Sequence, residues 1–277
     1  MDHHDSTKRH LAAGAALLAG ALGAACATAV NYGATAGPRY AGGDLPAPAA
    51  GRDTIRVVTF NVKYSLRVDE AILLLRTDAA LRGADIVLLQ EMDEPGVRAV
   101  ADALRMSWVY YPASRHPRTG RDFGNAVLAR WPIADDRKIV LPHLARWRRS
   151  QRAAVGATVL VAGLPVRAYS VHLATLIGNG PTERREQLAA VLDDAAAFPA
   201  VVIAGDFNSE TVPDYAAERG YGWPSRGLPH TNAWWTFDHV LLRGLALAGD
   251  RSIGVRDAAG ASDHKPVWVV VTTKDAR

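Results

Sequence analysis

Val201-Val202-Ile203-Ala204-Gly205-Asp206-Phe207-Asn208-Ser209 decides how the rest of the chain is read. Its opening run of apolar and small residues predicts a buried central strand, since both faces of such a strand must be apolar. Gly205 lets the backbone turn sharply, and Asp206 and Asn208 follow. Residues two apart in an extended run point to one side, so this carboxylate and this amide are expected to face one spot. Asp and Asn after a strand are also ordinary turn formers. The stretch gains a chemical reading because other predicted strands finish the same way. Ile55–Val62 ends near Asn61, Asp85–Glu91 on a carboxylate, and Val166–His172 on an imidazole. Phe237–Leu242 opens on Asp238, and Ser262-Asp263-His264 leads into a last strand, Val267–Val271.

Between these strands, apolar spacing predicts helices over Val68–Arg82, Pro95–Met106 and Thr182–Ala197, with Thr182 as the cap of the third. Trp108–Tyr111, Asn125–Arg130 and Val155–Val161 read as further strands. Ser209–Thr236, punctuated by Gly220, Gly222, Pro224, Gly227 and Pro229, reads as a long irregular segment of the functional or mobile kind. No repeat and no break divides residues 53–273, so one α/β domain is expected there.

Composition sets outer limits. The 277 residues are 49% hydrophobic and 22% charged, which supplies a sizeable core. Lys and Arg exceed Asp and Glu by four, a mildly basic balance that suits an anionic substrate. The single cysteine, Cys26, excludes an internal disulfide and a cysteine-built zinc site. Lys8 and Arg9 precede Leu11–Val30, a run with no charge, which is the pattern of an export segment. Gly23-Ala24-Ala25-Cys26 resembles a lipoprotein lipobox, with Leu22 one position too far back. Lipidation at Cys26, cleavage with release and retention as an anchor are all open. Export to the cell envelope or periplasm is expected by each route, with membrane attachment through this segment in two of them. Residues 31–52, rich in Gly, Ala and Pro, read as a flexible linker.

The strand ends supply Asn61, Glu91, His172, Asp206, Asn208, Asp238, Asp263 and His264. An α/β domain that gathers such groups at one edge is building a site. Carboxylates with amide oxygens suit Mg²⁺ or Mn²⁺. Asn125 lies in an apolar strand and is read as structural; His239, next to Asp238, is expected to face away from the site.

Seven stretches in order resemble the endonuclease/exonuclease/phosphatase superfamily, across about residues 53–273. They are Thr59–Val62, Leu89–Glu91, Gly124–Ile133, Ser170–Leu173, Ala204–Asn208, Phe237–Val240 and Ser262–Val267. The resemblance implies a four-layer α/β sandwich, two mixed β-sheets flanked by helices. It implies metal ligation by Glu91 with Asn61 and Asp263, and it places His264 as the essential histidine, oriented by Asp238. Asp206 matches the acid that handles the water or the leaving group, and Asn208 and His172 match groups that hold phosphate oxygens. Tyr169 and Arg152 match, more loosely, further phosphate contacts. The expected activity is divalent-metal-dependent phosphodiester hydrolysis. Nucleic acid is the first substrate choice, because the domain is basic and lacks a long hydrophobic β-hairpin. Phospholipid head groups or phosphoinositides are the alternative, and a non-catalytic envelope binding module is a third reading. Arginines at 115–121 and 146–152, with Trp147, Trp234 and Trp235, flank the expected cleft. No protein partner is expected, and the chain is read as a monomer.

Overall fold

In the computed structural model, which describes residues 28–43, 53–117 and 119–273, two mixed sheets lie face to face. The strands in chain order are β1 (Val30–Asn31), β2 (Tyr40–Gly42), β3 (Thr54–Asn61), β4 (Ile86–Met92), β5 (Ser107–Arg115), β6 (Asp122–Ala129) and β7 (Ile133–Val140). They continue with β8 (Ala153–Val161), β9 (Leu164–His172), β10 (Val201–Asp206), β11 (Asp238–Arg243), β12 (Ala246–Leu247), β13 (Ile253–Val255) and β14 (Val267–Thr272). One sheet has the order β1-β5-β6-β4-β3-β14-β12, with β2 on β5 and β13 on β14; the other has the order β11-β10-β9-β8-β7. Helices α1 (Val68–Thr77) and α2 (Glu94–Leu104) cover the first sheet, and α3 (Pro181–Ala195) and α4 (Val212–Glu218) cover the second.

Alternation along the strands builds these four layers. Ile55, Val57, Ile86 and Leu88 face across to Val155, Ala157, Val202 and Ala204 in the core between the sheets. Their neighbours Val58, Phe60, Val87 and Leu89 face α1 and α2, while Val201 and Ile203 face α3. A strand buried on both faces has no polar position to spare, hence the continuous apolar runs. Each Val, Leu, Ile or Phe among them contributes about 1.5–3 kcal/mol by leaving water.

Near the end where the site lies, the sheets are tied by polar groups. Gln90 Nε2 donates to Ser170 Oγ at 2.9 Å, and Asn125 Nδ2 donates to the Ala153 and Ser170 carbonyls at 2.8 and 3.2 Å. Asn125 is therefore a structural cross-link. Gly205 does not turn the chain but continues β10 at φ +151, where a Cβ would stand 1.9 Å from the Val171 carbonyl oxygen. Its role is close approach to β9.

The linker expected over 31–52 is partly built structure. β1 pairs with β5 at Val30–Arg115 and Asn31–Ser114, and β2 pairs with β5 at Tyr40–Tyr110. Lys138 Nζ on β7 donates to the Tyr32 and Gly37 carbonyls at 2.9 and 2.7 Å, and Arg39 forms a bidentate pair with Asp136 at 2.7 Å. The segment thus straps the β5 edge of one sheet to the β7 edge of the other, covering edges that would otherwise be unpaired. Its Gly- and Pro-rich composition concealed pairing that is set by the partner strand.

Other boundaries shift as well. α1 stops at Thr77 rather than Arg82, because Asp78 turns extended and its carboxylate accepts from the Ala80 and Leu81 N–H groups. α3 begins at Pro181 after Gly180, so Thr182 is inside the helix and is not its cap. The irregular 209–236 stretch contains α4, whose hydroxyl support comes from Ser209, bonded to Val212 N. The export segment up to residue 27, Cys26 included, lies outside the described residues.

Candidate active site

Strand register assembles the site. Asp206 at the end of β10 pairs with His172 on β9 and with Asp238 on β11, so three adjacent strands deliver their polar ends at one level. From the other sheet, Asn61 ends β3 beside Gln90 of β4. Glu91 follows in a left-handed conformation, φ +59, at the break in β4–β6 pairing between Leu89 and Met92. Such a break re-aims a side chain out of the regular pleat. His264 stands on the loop before β14; its N–H donates to Ser262 Oγ, which itself donates to the Asn61 carbonyl at 2.7 Å. Thr231 Oγ1 accepts from the Phe237 and Asp238 N–H groups at 3.0 Å each, and Lys265 N–H donates to the Thr231 carbonyl. One residue of the 209–236 stretch thereby joins the entry to β11 with the His264 loop.

The acidic residues converge. Asn61 Nδ2 donates to Asp206 Oδ2 at 3.0 Å and to Glu91 Oε1 at 3.3 Å. His172 Nε2 lies 3.5 Å from Asp206 Oδ2 and 3.9 Å from Glu91 Oε1. His264 Nδ1 bonds Asp238 Oδ2 at 2.8 Å, while its Nε2 lies 3.7 Å from Asp206 Oδ2. Arg152 places Nη1 3.0 Å from both ring nitrogens of His172 and stacks over Phe123 at 5.1 Å.

Burial and charge sort the protonation states. Burial pushes the Asp206 carboxyl up to about 7, with Asp238 and Glu91 adding to the rise and His264 opposing it. Burial also raises Glu91, against the pull of Arg152. For His264 burial lowers the value, but Asp238 and Asp206 together outweigh it and hold the imidazole at about 10. His172 goes the other way: burial, then Arg152 and His264, keep it well below its ordinary value. At neutral pH His264 is a cation and His172 is neutral, so the two histidines cannot share a role. Neutral His172 can accept from the Arg152 guanidinium, whose own value burial lowers.

Tyr169 stands elsewhere, Asp263 lies at the rim, and Asn61 and Asn208 reach the site through contacts other than those expected. Tyr169 is fully buried on the helix side of β9, where its hydroxyl bonds Asp194 of α3 at 2.6 Å; strand alternation turns it away from His172. Asp263 is half exposed at the rim and paired with Lys63 Nζ at 2.8 Å, while its charge still acts on Glu91. Asn61 turns its NH₂ to the carboxylates and its oxygen to the Lys63 N–H, so in this arrangement it orients Glu91 and Asp206. Asn208 does not share a direction with Asp206 through extended backbone. Its φ is +48, its N–H donates to Asp206 Oδ1 at 2.8 Å, and its amide donates to the Leu173 carbonyl. His239 faces away as expected, held by Trp223 Nε1 and near the Ser209 carbonyl.

Sequence reading missed Asn232, whose amide is 3.2 Å from His264 Nε2, and Lys63, which neutralises Asp263. It also missed Tyr64 and Phe123, which with Arg152 and Trp147 line a cavity of about 270 Å³ beside His172. Lys63 and Tyr64 follow the β3 end directly and were passed over because a Lys and a Tyr after a strand do not stand out as metal or acid–base groups, while Asn232 and Phe123 lie at no polar strand end read from the sequence.

The donor set suits a hard divalent cation. Glu91, His172 and Asp206 offer ligand atoms that all lie within 4.8 Å of one another. Buried carboxylates this close are costly when ionised without a cation, which is the meaning of their upward shifts. The group contains no sulfur.

Comparison with curated proteins finds no match. Among solved structures, an endonuclease/exonuclease/phosphatase from Beutenbergia cavernae superposes with a TM-score of 0.65 at 22% identity, covering 80% of this chain and 72% of that one. D. rerio TDP2, complexed with a single-strand DNA product, gives 0.64 at 17% identity, over 80% of this chain and 100% of that one. The human Nocturnin catalytic domain with bound sulfate gives 0.59 at 19%, over 80% and 95%. The sequence profile described as the Endonuclease/Exonuclease/phosphatase family matches residues 58–264. The match runs through every strand end that supplies the site, and the chain belongs to the endonuclease/exonuclease/phosphatase family.

Proposed function

We propose that the protein is a divalent-cation-dependent phosphodiester hydrolase that acts outside the cytoplasm. The observation that carries the hydrolase reading is the buried line Asp238–His264–Asp206, set against Glu91 and beside Arg152; the location rests on the uncharged run Leu11–Val30 behind Lys8 and Arg9. Glu91 and Asp206 would hold Mg²⁺ or Mn²⁺, which when bound neutralises phosphate charge and favours hydroxide over water at neutral pH.

The chain's own groups supply the rest. Asp206 as carboxylate takes the proton from the attacking water; Asn61 Nδ2 and Asn208 N–H fix its two oxygens for that task. The water oxygen bonds to phosphorus as the ester P–O bond on the far side breaks, and the leaving oxygen departs as an alkoxide that takes a proton from solvent. His264, charged because Asp238 holds its Nδ1–H, presents Nε2–H to the negative charge gathered in the transition state. Arg152 adds a second fixed positive charge on the side of neutral His172. Its depth keeps that charge strong.

Nucleic acid is the first substrate class, supported by the basic balance of the chain and by the DNA product bound to the TDP2 neighbour. A phospholipid head group is the second reading, favoured by the exposed Trp147 and Ile177 that line the cavity next to Arg152. The test is a panel of plasmid DNA, RNA, sphingomyelin and phosphatidylglycerol, with Mg²⁺ or Mn²⁺ and with EDTA. Cation-dependent cleavage of one class assigns the substrate. Binding of an anionic polymer without cation-dependent cleavage would instead establish a binding module.

A further inference from the structure

The described chain begins on the rim of the catalytic cleft. Ala29 N–H donates to the Arg148 carbonyl at 2.9 Å, Asn31 Nδ2 donates to the Arg149 carbonyl at 2.7 Å, and Asn31 Oδ1 accepts from Gln151 N–H at 2.8 Å. The uncharged run Leu11–Val30 therefore ends inside the fold, with no spacer between it and the 143–152 loop. That loop also carries Arg152, the cation beside His172.

The surface around this point is of one kind. Trp147 is 81% exposed, Ile177 80% and Leu176 46%, and the loops carrying them are joined by Arg146 N–H donating to the Gly178 carbonyl. Arg146 pairs with Glu183, but among the described residues neither Arg148 nor Arg149 has an acidic side-chain partner. Exposed Trp and aliphatic side chains interleaved with unneutralised arginines match the interfacial layer of an anionic bilayer, where a ring sits at headgroup level. An apolar segment and a basic patch at one place supply the two signals that stable membrane attachment requires.

We propose that the 143–152 and 174–180 loops, with β1, form a face that rests on an anionic phospholipid bilayer, entered by the chain before Thr28 directly beside the cleft. Two extended residues reach only about 7 Å, so a bilayer attachment at Cys26 would hold this face against the headgroups.

The test places a photo-crosslinking residue in the full-length protein, reconstituted in vesicles of phosphatidylcholine and phosphatidylglycerol. One variant is Ile177→p-benzoylphenylalanine. The control is Ala162→p-benzoylphenylalanine, in the β8–β9 turn, on the order of 30 Å away along those strands. Lipid adducts at 177 at least tenfold above those at 162 are expected. Arg148→Glu with Arg149→Glu should lower the adduct yield at 177 at least threefold. Equal yields at 177 and 162, no lipid adduct at 177, an adduct to protein in place of lipid, or indifference to the arginine changes would each overturn the proposal. The readout does not depend on turnover, so this inference and the proposed hydrolysis stand or fall separately.

Discussion

At the scale of single residues, the proposed mechanism divides the work between one aspartate and one histidine because their surroundings shift both in chemically useful directions. Asp206 sits at about 7 and His264 at about 10, so the state with Asp206 ionised and His264 charged exists between those values. kcat/KM should rise as Asp206 ionises, at about 7 or lower once a cation adds its charge, and fall through about 10. Asp238→Asn removes the charge that holds up His264 and should move the falling limb to lower pH; a pH–rate profile with an unmoved limb would contradict the assignment. Asp206→Asn and His264→Ala should each lower kcat by about 10²–10⁴ with an unchanged circular dichroism spectrum. Stability follows by linkage. The His264 value is raised on folding, so its contribution is full below its ordinary 6.5 and is lost as pH rises through about 10. Asp206 is also raised, so ionising it costs stability between its ordinary 3.8 and about 7, and a cation offsets that cost. Mg²⁺ or Mn²⁺ should therefore raise Tm more at pH 8 than at pH 5, as read by calorimetry. An equal shift at both would place the cation away from Asp206.

At the scale of elements, the strand ends were legible in the sequence and the packing that aims them was not. Asp206, His172, Asp238, Asn61, Glu91 and His264 could be found because each closes or opens an apolar run, and register brings them level. Tyr169 illustrates the limit. Proximity to His172 in sequence counted for less than strand parity, which sends it to Asp194. Asp263 adjoins His264 yet pairs with Lys63, whose position depends on the left-handed turn after β3. β7 escaped notice because an edge strand carrying Asp135, Asp136, Arg137 and Lys138 lacks an apolar run. β1 and β2 escaped because their pairing energy comes from β5. Two substitutions probe these elements. Gly205→Ala would drive a methyl group into the Val171 carbonyl and should destabilise by about 3 kcal/mol or more in urea unfolding. A loss below about 1 kcal/mol would mean that β9 and β10 can part there. Lys138→Met leaves the Tyr32 and Gly37 carbonyls without their donor, and limited proteolysis within 32–39 should quicken several-fold.

At the scale of the whole molecule, two sheets close a dry core and leave their polar strand ends to meet at one edge. Both sheets contribute groups: Glu91, Asn61 and His264 come from one, Asp206, His172, Asp238 and Arg152 from the other. The ties through Gln90, Ser170 and Asn125 fix the sheets against each other a few residues from the reacting groups. Held in this way, Glu91 and Asp206 would receive a cation without rearranging. The most direct measurement is hydrolysis of bis-p-nitrophenyl phosphate by the purified full-length protein, alongside His264→Ala. Release of p-nitrophenol that requires Mg²⁺ or Mn²⁺, stops with EDTA and is lost in the variant is the predicted result. Turnover that survives EDTA, or that His264→Ala leaves intact, would contradict the account.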